Sequence, residues 1–206
     1  MEKLTERLLL REFIMIPYAK DTSKWEDWQR DYRFGLILIM PPPEVSQEID
    51  LLRAKYDPRS ATTCPTHISL SDPLSREMTP DLIDEINNVI TDVQPFTLYY
   101  DKPHASTRHP GVSYPIRPRE PVDNLKQILH GTSAFSDEAY HRRNIAPHMT
   151  IAEFISIDES LELCARLQNS APSGSFLCDK LAFVVPDKNF RFKKRGTFFL
   201  ADSGKK

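Results

Sequence analysis

Apolar residues along this chain change their spacing several times, and each change predicts an element. Arg33 to Met40 (RFGLILIM) is an unbroken apolar run of strand length, and Pro41-Pro42-Pro43 stops it. From 44 to 56 the apolar residues Val45, Ile49 and Leu52 recur at helical spacing, and Asp57-Pro58 ends that helix. Thr66 to Leu70 reads as a short strand. Thr79-Pro80-Asp81 places a cap, a proline and an acid where a helix begins. That helix runs to about residue 93 on Leu82, Ile83, Ile86, Val89 and Ile90. Residues 95–100 then return to a strand pattern.

The second half repeats the order. Gly111 to Ile116 reads as a strand, which Pro115 assigns to an edge. Val122 to His130 reads as a helix that Gly131 can cap. Residues 147–154 form another strand, and 158–168 a helix with Leu161, Leu163, Cys164 and Leu167 apolar. Residues 175–185 and 191–201 are closing strands around a turn at Pro186-Asp187-Lys188-Asn189. Strand, helix, strand, helix, strand occurs twice, about 80 residues apart. The expected fold is α+β and bilobal: duplicated strand–helix–strand units, with two small, mainly antiparallel sheets facing a central cleft. The whole chain, 1–206, reads as one such domain, with residues 1–32 as an extension and the core at about 33–200.

The duplication carries a chemical signature. Thr66-His67-Ile68-Ser69-Leu70 is matched by Pro147-His148-Met149-Thr150-Ile151, with the histidines 81 positions apart. Side chains alternate along a strand, so His67 shares a face with Ser69, and His148 with Thr150. Ile68, Leu70, Met149 and Ile151 then point the other way, into a core. Cleavage of a phosphodiester needs a base for the attacking oxygen, an acid for the leaving oxygen and donors for the phosphoryl charge. An imidazole with an unperturbed pKa of about 6.5 serves as either base or acid. Ser69 and Thr150 can donate to the non-bridging oxygens. No metal or cofactor is required by this scheme.

Composition adjusts this picture in few places. Net charge is −2, so the chain as a whole is not a polyanion binder. Val185 to Lys206 nevertheless carries seven Lys/Arg against two Asp, interleaved with Phe190, Phe192, Phe198 and Phe199. That run is either a charged hairpin or a positive field for a phosphate. No stretch has about 18 consecutive apolar residues, and the N-terminal apolar stretch is broken by Arg11 and Glu12, which argues against a membrane span or a signal peptide. Three cysteines, Cys64, Cys164 and Cys178, make no CxxC pair, and a cytoplasmic, reducing location fits them. Cys64 and His67 have a C-x-x-H spacing, but the matching position before His148 is Ile145 and no further zinc ligands complete the set. Lone histidines on strands or loops are usually structural, and His104, His109, His130 and His141 are read that way. Arg142 and Arg143 are candidates to reach a phosphate, with a solvated loop as the alternative. Tyr114 and Phe96 are candidates to stack on a base, with a core position as the alternative.

The two His-x-Ser/Thr motifs and the repeated strand–helix order around them resemble the 2H phosphoesterase superfamily, which includes 2′-5′ RNA ligase-like proteins and cyclic nucleotide phosphodiesterases. The resemblance runs over roughly residues 33–200. It takes in the apolar strand, the proline break, the helix ending at Tyr56-Asp57-Pro58, and both motifs. Ser69 stands where threonine is commoner in that family. The resemblance implies a bilobal α+β fold, catalytic histidines at His67 and His148, and metal-free attack on 2′,3′-cyclic phosphates, RNA ends or 2′,5′-linked nucleotides. The expected partner is an RNA or nucleotide substrate, with the protein acting as a monomer away from membranes. Two other readings stand beside hydrolysis: 2′-5′ RNA ligation, which is the reverse transfer, and an RNA- or nucleotide-binding module without catalysis.

Overall fold

The computed structural model describes residues 16–136 and 145–201. Its elements, in chain order, are a 3-10 helix (Asp27–Phe34), β1 (Leu36–Ile39), α1 (Pro43–Tyr56), α2 (Pro58–Thr63), β2 (Ile68–Ser69), α3 (Pro80–Ile90), β3 (Phe96–Tyr100), β4 (His104–Ala105), β5 (Val112–Pro115), α4 (Glu120–His130), β6 (His148–Ala152), α5 (Ile157–Leu167), β7 (Gly174–Cys178), β8 (Lys180–Pro186) and β9 (Phe192–Phe199). Seven strands form one antiparallel sheet in the order β4-β5-β6-β2-β1-β8-β9, and β3 pairs with β7 in a second, two-stranded sheet.

The α+β class and the antiparallel sheets are as the sequence indicates. The two motif strands, which two sheets facing a cleft would set on opposite sides of it, are instead neighbours in one sheet, with Ile68 opposite Met149. The duplication explains why. β1, a helix and β2 form one unit, with β1 paired to β2; β5, a helix and β6 form the other, with β5 paired to β6. The units join edge to edge at β2 and β6, which puts an approximate two-fold axis between the two motifs. Further differences are local. Asp57-Pro58 ends α1 and also starts α2, because the Asp57 side chain accepts the Ser60 N–H and caps the new helix. Pro115 needs no partner for its missing N–H, because β4 reaches only Ser113 and Val112. β1 begins late, because the 3-10 helix runs up to Phe34.

Gly35 joins that helix to β1 at φ +85°, and a Cβ there would overlap the Val184 carbonyl oxygen. The two faces of the sheet differ. Ile37, Ile39, Ile68, Leu70, Met149 and Ile151 pack with the helices into the main core. The alternate residues Leu36, Leu38, Ala182 and Val184 form a smaller apolar cluster with Tyr32 and Phe192 on the opposite face. No helix among the described residues is long and apolar enough to cross a membrane.

Candidate active site

The pairing of β2 with β6 builds the site. Ile68 opposite Met149 sets Ser69 against His148 and His67 against Thr150. Directly opposed side chains on antiparallel strands have Cβ atoms about 5 Å apart, and diagonal ones about 7–8 Å. Each histidine thus faces the hydroxyl of the other motif, and the two imidazoles lie on a diagonal. All four side chains line one cavity of 340 Å³. The rings are held in matching ways. His67 Nδ1 lies 2.7 Å from the Pro65 carbonyl, and His148 Nδ1 lies 2.8 Å from the Ala146 carbonyl. A carbonyl only accepts, so Nδ1 carries the proton in both neutral rings and Nε2 is the nitrogen able to exchange one.

Beneath the motifs lie buried cations that the apolar pattern conceals. Arg53 occupies the third position of the α1 stripe Val45, Ile49, Arg53 and is 1% exposed. Its Nη1 donates to the Thr150 carbonyl at 2.7 Å, and its Nη2 donates to the carbonyls of Cys64 (2.7 Å) and Ser60 (3.1 Å). Asp50 lies 3.4 Å from Arg53 Nε and accepts both the N–H and the hydroxyl of Thr66. Lys126, on α4, holds the equivalent place in the second unit. It donates to the Ile145 carbonyl at 2.6 Å and pairs with Asp123 at 3.5 Å. In each unit, then, a cation with an acid three residues earlier grips the carbonyl three residues before the motif histidine.

The likeness extends one helical turn further. Asp57, four residues after Arg53, accepts the N–H groups of Glu153 (2.8 Å) and Phe154 (3.2 Å). His130, four residues after Lys126, accepts the Asp72 N–H at 3.0 Å. Glu153 and Asp72 each stand five residues after a motif histidine. The helix of one unit therefore pins the strand end of the other. His130 is structural, as its isolation in the sequence suggested.

Tyr114 is a correction. It is 0% exposed, on the core face of β5 opposite Met149, and packs edge-on against Tyr100 at 5.4 Å. Strand alternation puts its neighbour Ser113, not Tyr114, on the side of Thr150. Burial pushes its phenol well above the usual range. Tyr114 cannot stack on a ligand. Arg142, Arg143 and His141 lie outside the described residues. Phe96 is half-buried against the main core. His104 and His109 line a 240 Å³ hollow that shares His148 and Thr150 with the site.

The aromatic wall of the cavity comes from segments without a motif. Trp28 and Tyr32, on the 3-10 helix, meet Phe190 and Phe192 of the β8–β9 hairpin in a chain of edge-to-face contacts. The basic hairpin thus supplies the cavity with its phenylalanines, while Lys193 and Lys194 are exposed and do not belong to its lining. Trp28 and Tyr32 also border a 960 Å³ groove that carries Arg30 and Arg33 and reaches Ser69 and His148. Among the described residues, no three His, Cys, Asp or Glu side chains converge as a metal site. Burial pushes the Cys64 thiol up to about 12 despite the nearby Arg53 guanidinium.

Comparison with known proteins bears on the fold and the family. Two bacterial relatives carry provisional phosphoesterase names. One, from Oceanobacillus iheyensis, is 27% identical over 64% of this chain and 77% of its own length. The other, from Halalkalibacterium halodurans, is 24% identical over 80% of this chain and 95% of its own. Crystal structures of Escherichia coli LigT share the fold: the complex with NADP+ has a TM-score of 0.51 at 18% identity, covering 81% of this chain and 96% of LigT. The complex with 3′-AMP has a TM-score of 0.50, also at 18% identity and 81% of this chain, with 97% of LigT covered. The class is that of the phosphoesterases. More specifically, the chain belongs to the 2′-5′ RNA ligase superfamily, whose family model matches residues 41–190.

Proposed function

We propose that this protein is a metal-independent phosphodiesterase acting on 2′,3′-cyclic phosphates, RNA ends or 2′,5′-linked nucleotides. His67 and His148 act as the proton-transfer pair, and Ser69 and Thr150 hold the phosphoryl oxygens. The observation that supports it most is the crossed register of β2 and β6, which gives two imidazole–hydroxyl pairs around one cavity with Nδ1 fixed on both rings. In hydrolysis of a cyclic phosphate, one neutral imidazole takes a proton from water at Nε2 as the water oxygen bonds to phosphorus. The other, protonated at Nε2, gives its proton to the ribose oxygen as that P–O bond breaks. The product is a phosphomonoester with one free hydroxyl. The rings end with exchanged protonation states, and solvent resets them. Ser69 and Thr150 donate to the non-bridging oxygens, where charge builds. A ribose hydroxyl in place of water would run the same transfer as ligation.

The test is a panel of 2′,3′-cyclic nucleotides, 2′,5′-linked dinucleotides and RNA with a cyclic-phosphate end, assayed with excess EDTA. The reading expects turnover of at least one of these at an undiminished rate, with a bell-shaped pH profile. Activity lost to the chelator and restored by zinc or manganese overturns it.

A further inference from the structure

We infer that the hollow between residues 17–24 and the β8–β9 turn is a second anion site, separate from the catalytic cavity and built for two or more linked phosphate groups. Lys20, Lys24, Lys188 and Arg195 hold the anion there. The site does not depend on the roles proposed for His67 and His148.

The hollow has 590 Å³, within the range of sites for whole small molecules. It shares no lining residue with the 340 Å³ cavity or with the 960 Å³ groove. Two segments of the chain wall it, and their packing fixes them to each other. The Trp25 indole N–H donates to the Lys188 carbonyl at 3.1 Å, and Ala19 and Trp25 form an apolar cluster with Phe190. Lys20 and Lys24 are thereby held beside the turn that carries Lys188. Lys20, Lys24 and Arg195 lie outside residues 41–190, which the family model matches.

Arg195 is the residue that points to a ligand. Val184 pairs with Lys194 and Phe183 with Gly196, so Arg195 is the extra residue of a β-bulge. A bulge breaks strand alternation and re-aims a side chain. Here it brings Arg195 into the wall of the hollow, while Lys193 and Lys194 stay outside it. The Arg195 Nε is sealed from solvent and has no hydrogen-bond partner among the described residues. A buried donor left unpaired is costly, and a charged one more so.

The charges around it are also unbalanced. Asp21 and Asp187 line the hollow too. Asp21 accepts the Ser23 N–H at 2.9 Å, and Asp187 accepts those of Asn189 (2.8 Å) and Arg191 (3.1 Å), so each carboxylate is engaged by its own loop. None of the four cations forms an ion pair or a side-chain hydrogen bond among the described residues. Four cations against two carboxylates leave a charge of +2 around one concavity. Like charges gathered in a hollow draw in an anion. Linked phosphates carry at least the matching charge, and their oxygens point to several sides, which suits donors arriving from two segments. Arg195 offers them a planar fork and the lysines offer point charges. Such groups occur in free polyphosphates and along an RNA strand.

The test is calorimetric titration of the full chain at low ionic strength with two probes, inorganic tripolyphosphate and a short single-stranded RNA with hydroxyl ends. Wild type is compared with Arg195→Gln, Lys188→Glu and Lys194→Glu, each checked by a thermal melt. Lys188 is exposed and holds Trp25 through its backbone carbonyl, so Lys188→Glu keeps the fold even if Arg195→Gln does not. Lys194→Glu makes the same charge change on the same hairpin outside the hollow. Arg195→Gln and Lys188→Glu should each weaken binding of at least one probe by about 10-fold or more, the loss of one charge-assisted hydrogen bond. Lys194→Glu should weaken it by no more than about 3-fold, as a screened surface charge does. A loss confined to tripolyphosphate assigns the hollow to free polyphosphates, and a loss that includes the RNA assigns it to a phosphate chain. Wild type that binds neither probe overturns the site. So does an equal loss in Lys188→Glu and Lys194→Glu, which means a diffuse field, or unchanged binding in Lys188→Glu, which means that the anion sits elsewhere.

Discussion

Arg53 gives the sharpest stability prediction. The perturbation is Arg53→Met, which keeps most of the side chain's volume and removes the guanidinium. Lost with it are donors to the carbonyls of Thr150, Cys64 and Ser60, and to the Ser60 hydroxyl. Asp50 also loses the cation 3.4 Å away while remaining two-thirds buried. Hydrogen bonds from a charged donor contribute roughly 1.5–3 kcal/mol each. Adding four would give about 6–12 kcal/mol, which overcounts, because one group makes them all and its own burial is costly. Removing one partner of a buried ion pair costs about 3–5 kcal/mol, and that is the figure we adopt. In a chain of this size each kcal/mol moves Tm by about 2–4 °C. Arg53→Met should therefore melt roughly 6–20 °C below wild type by circular dichroism at pH 7. Arg53→Lys, which keeps the charge but not the fork, should fall between. Adding Asp50→Asn to Arg53→Met should recover part of the loss, because the orphaned carboxylate is gone. A melt of Arg53→Met within about 2 °C of wild type would refute the claim that this cation clamps the motif strands.

Other substitutions probe other parts of the account. Gly35→Ala should cost at least about 2 kcal/mol and lower Tm by about 4 °C or more, since φ is +85° and the Val184 carbonyl fills the Cβ position; an unchanged melt would contradict that geometry. Tyr114→Phe should leave stability unchanged or raise it, because the buried hydroxyl has no hydrogen-bond partner among the described residues; a loss above about 1 kcal/mol in urea titration would reveal a partner. Burial pushes the thiols of Cys64 and Cys178 up to about 12 in the fold. Unfolded thiols lose their proton near pH 8.5, so between there and about pH 12 the native state holds more protons than the unfolded state, and stability falls as pH rises. The urea midpoint should drop progressively above pH 9, less steeply for Cys64→Ala, and a flat profile to pH 11 would count against both thiols being sealed.

Strand alternation and the repeat made much of the site legible. The faces of His67, Ser69, His148 and Thr150 followed from a period of two, and the core positions of Ile68, Leu70, Met149 and Ile151 with them. Which strands were neighbours did not follow, because pairing between β2 and β6 is a contact across about 80 residues that no local pattern encodes. Arg53 and Lys126 were hidden for another reason. Each occupies a helix-stripe position where periodicity expects an apolar residue. A signal was present in the repeated acid-x-x-cation of Asp50 and Arg53, and of Asp123 and Lys126. It becomes readable only once the helices α1 and α4 are set against each other, because the two cations stand at different distances in sequence from their motif histidines. Tyr114 illustrates the converse. Its type suited a stacking role, but its parity on β5 placed it in the core beside Tyr100. Trp28 and Tyr32 were unreadable as site residues because the segment that carries them has no counterpart in the second half.

The most direct test of the central claim is kcat/KM on one 2′,3′-cyclic nucleotide for wild type, His67→Ala, His148→Ala and the double variant, with thermal melts as a folding control. General acid–base groups typically contribute about 10²–10⁴ in rate, so each single variant should fall by that much. The double variant should be little worse than the worse single one, because the two imidazoles act on one proton circuit. Melting temperatures should stay near wild type, since both rings lie at the cavity rather than in the core. Folded His67→Ala or His148→Ala protein with near-normal turnover would contradict the account.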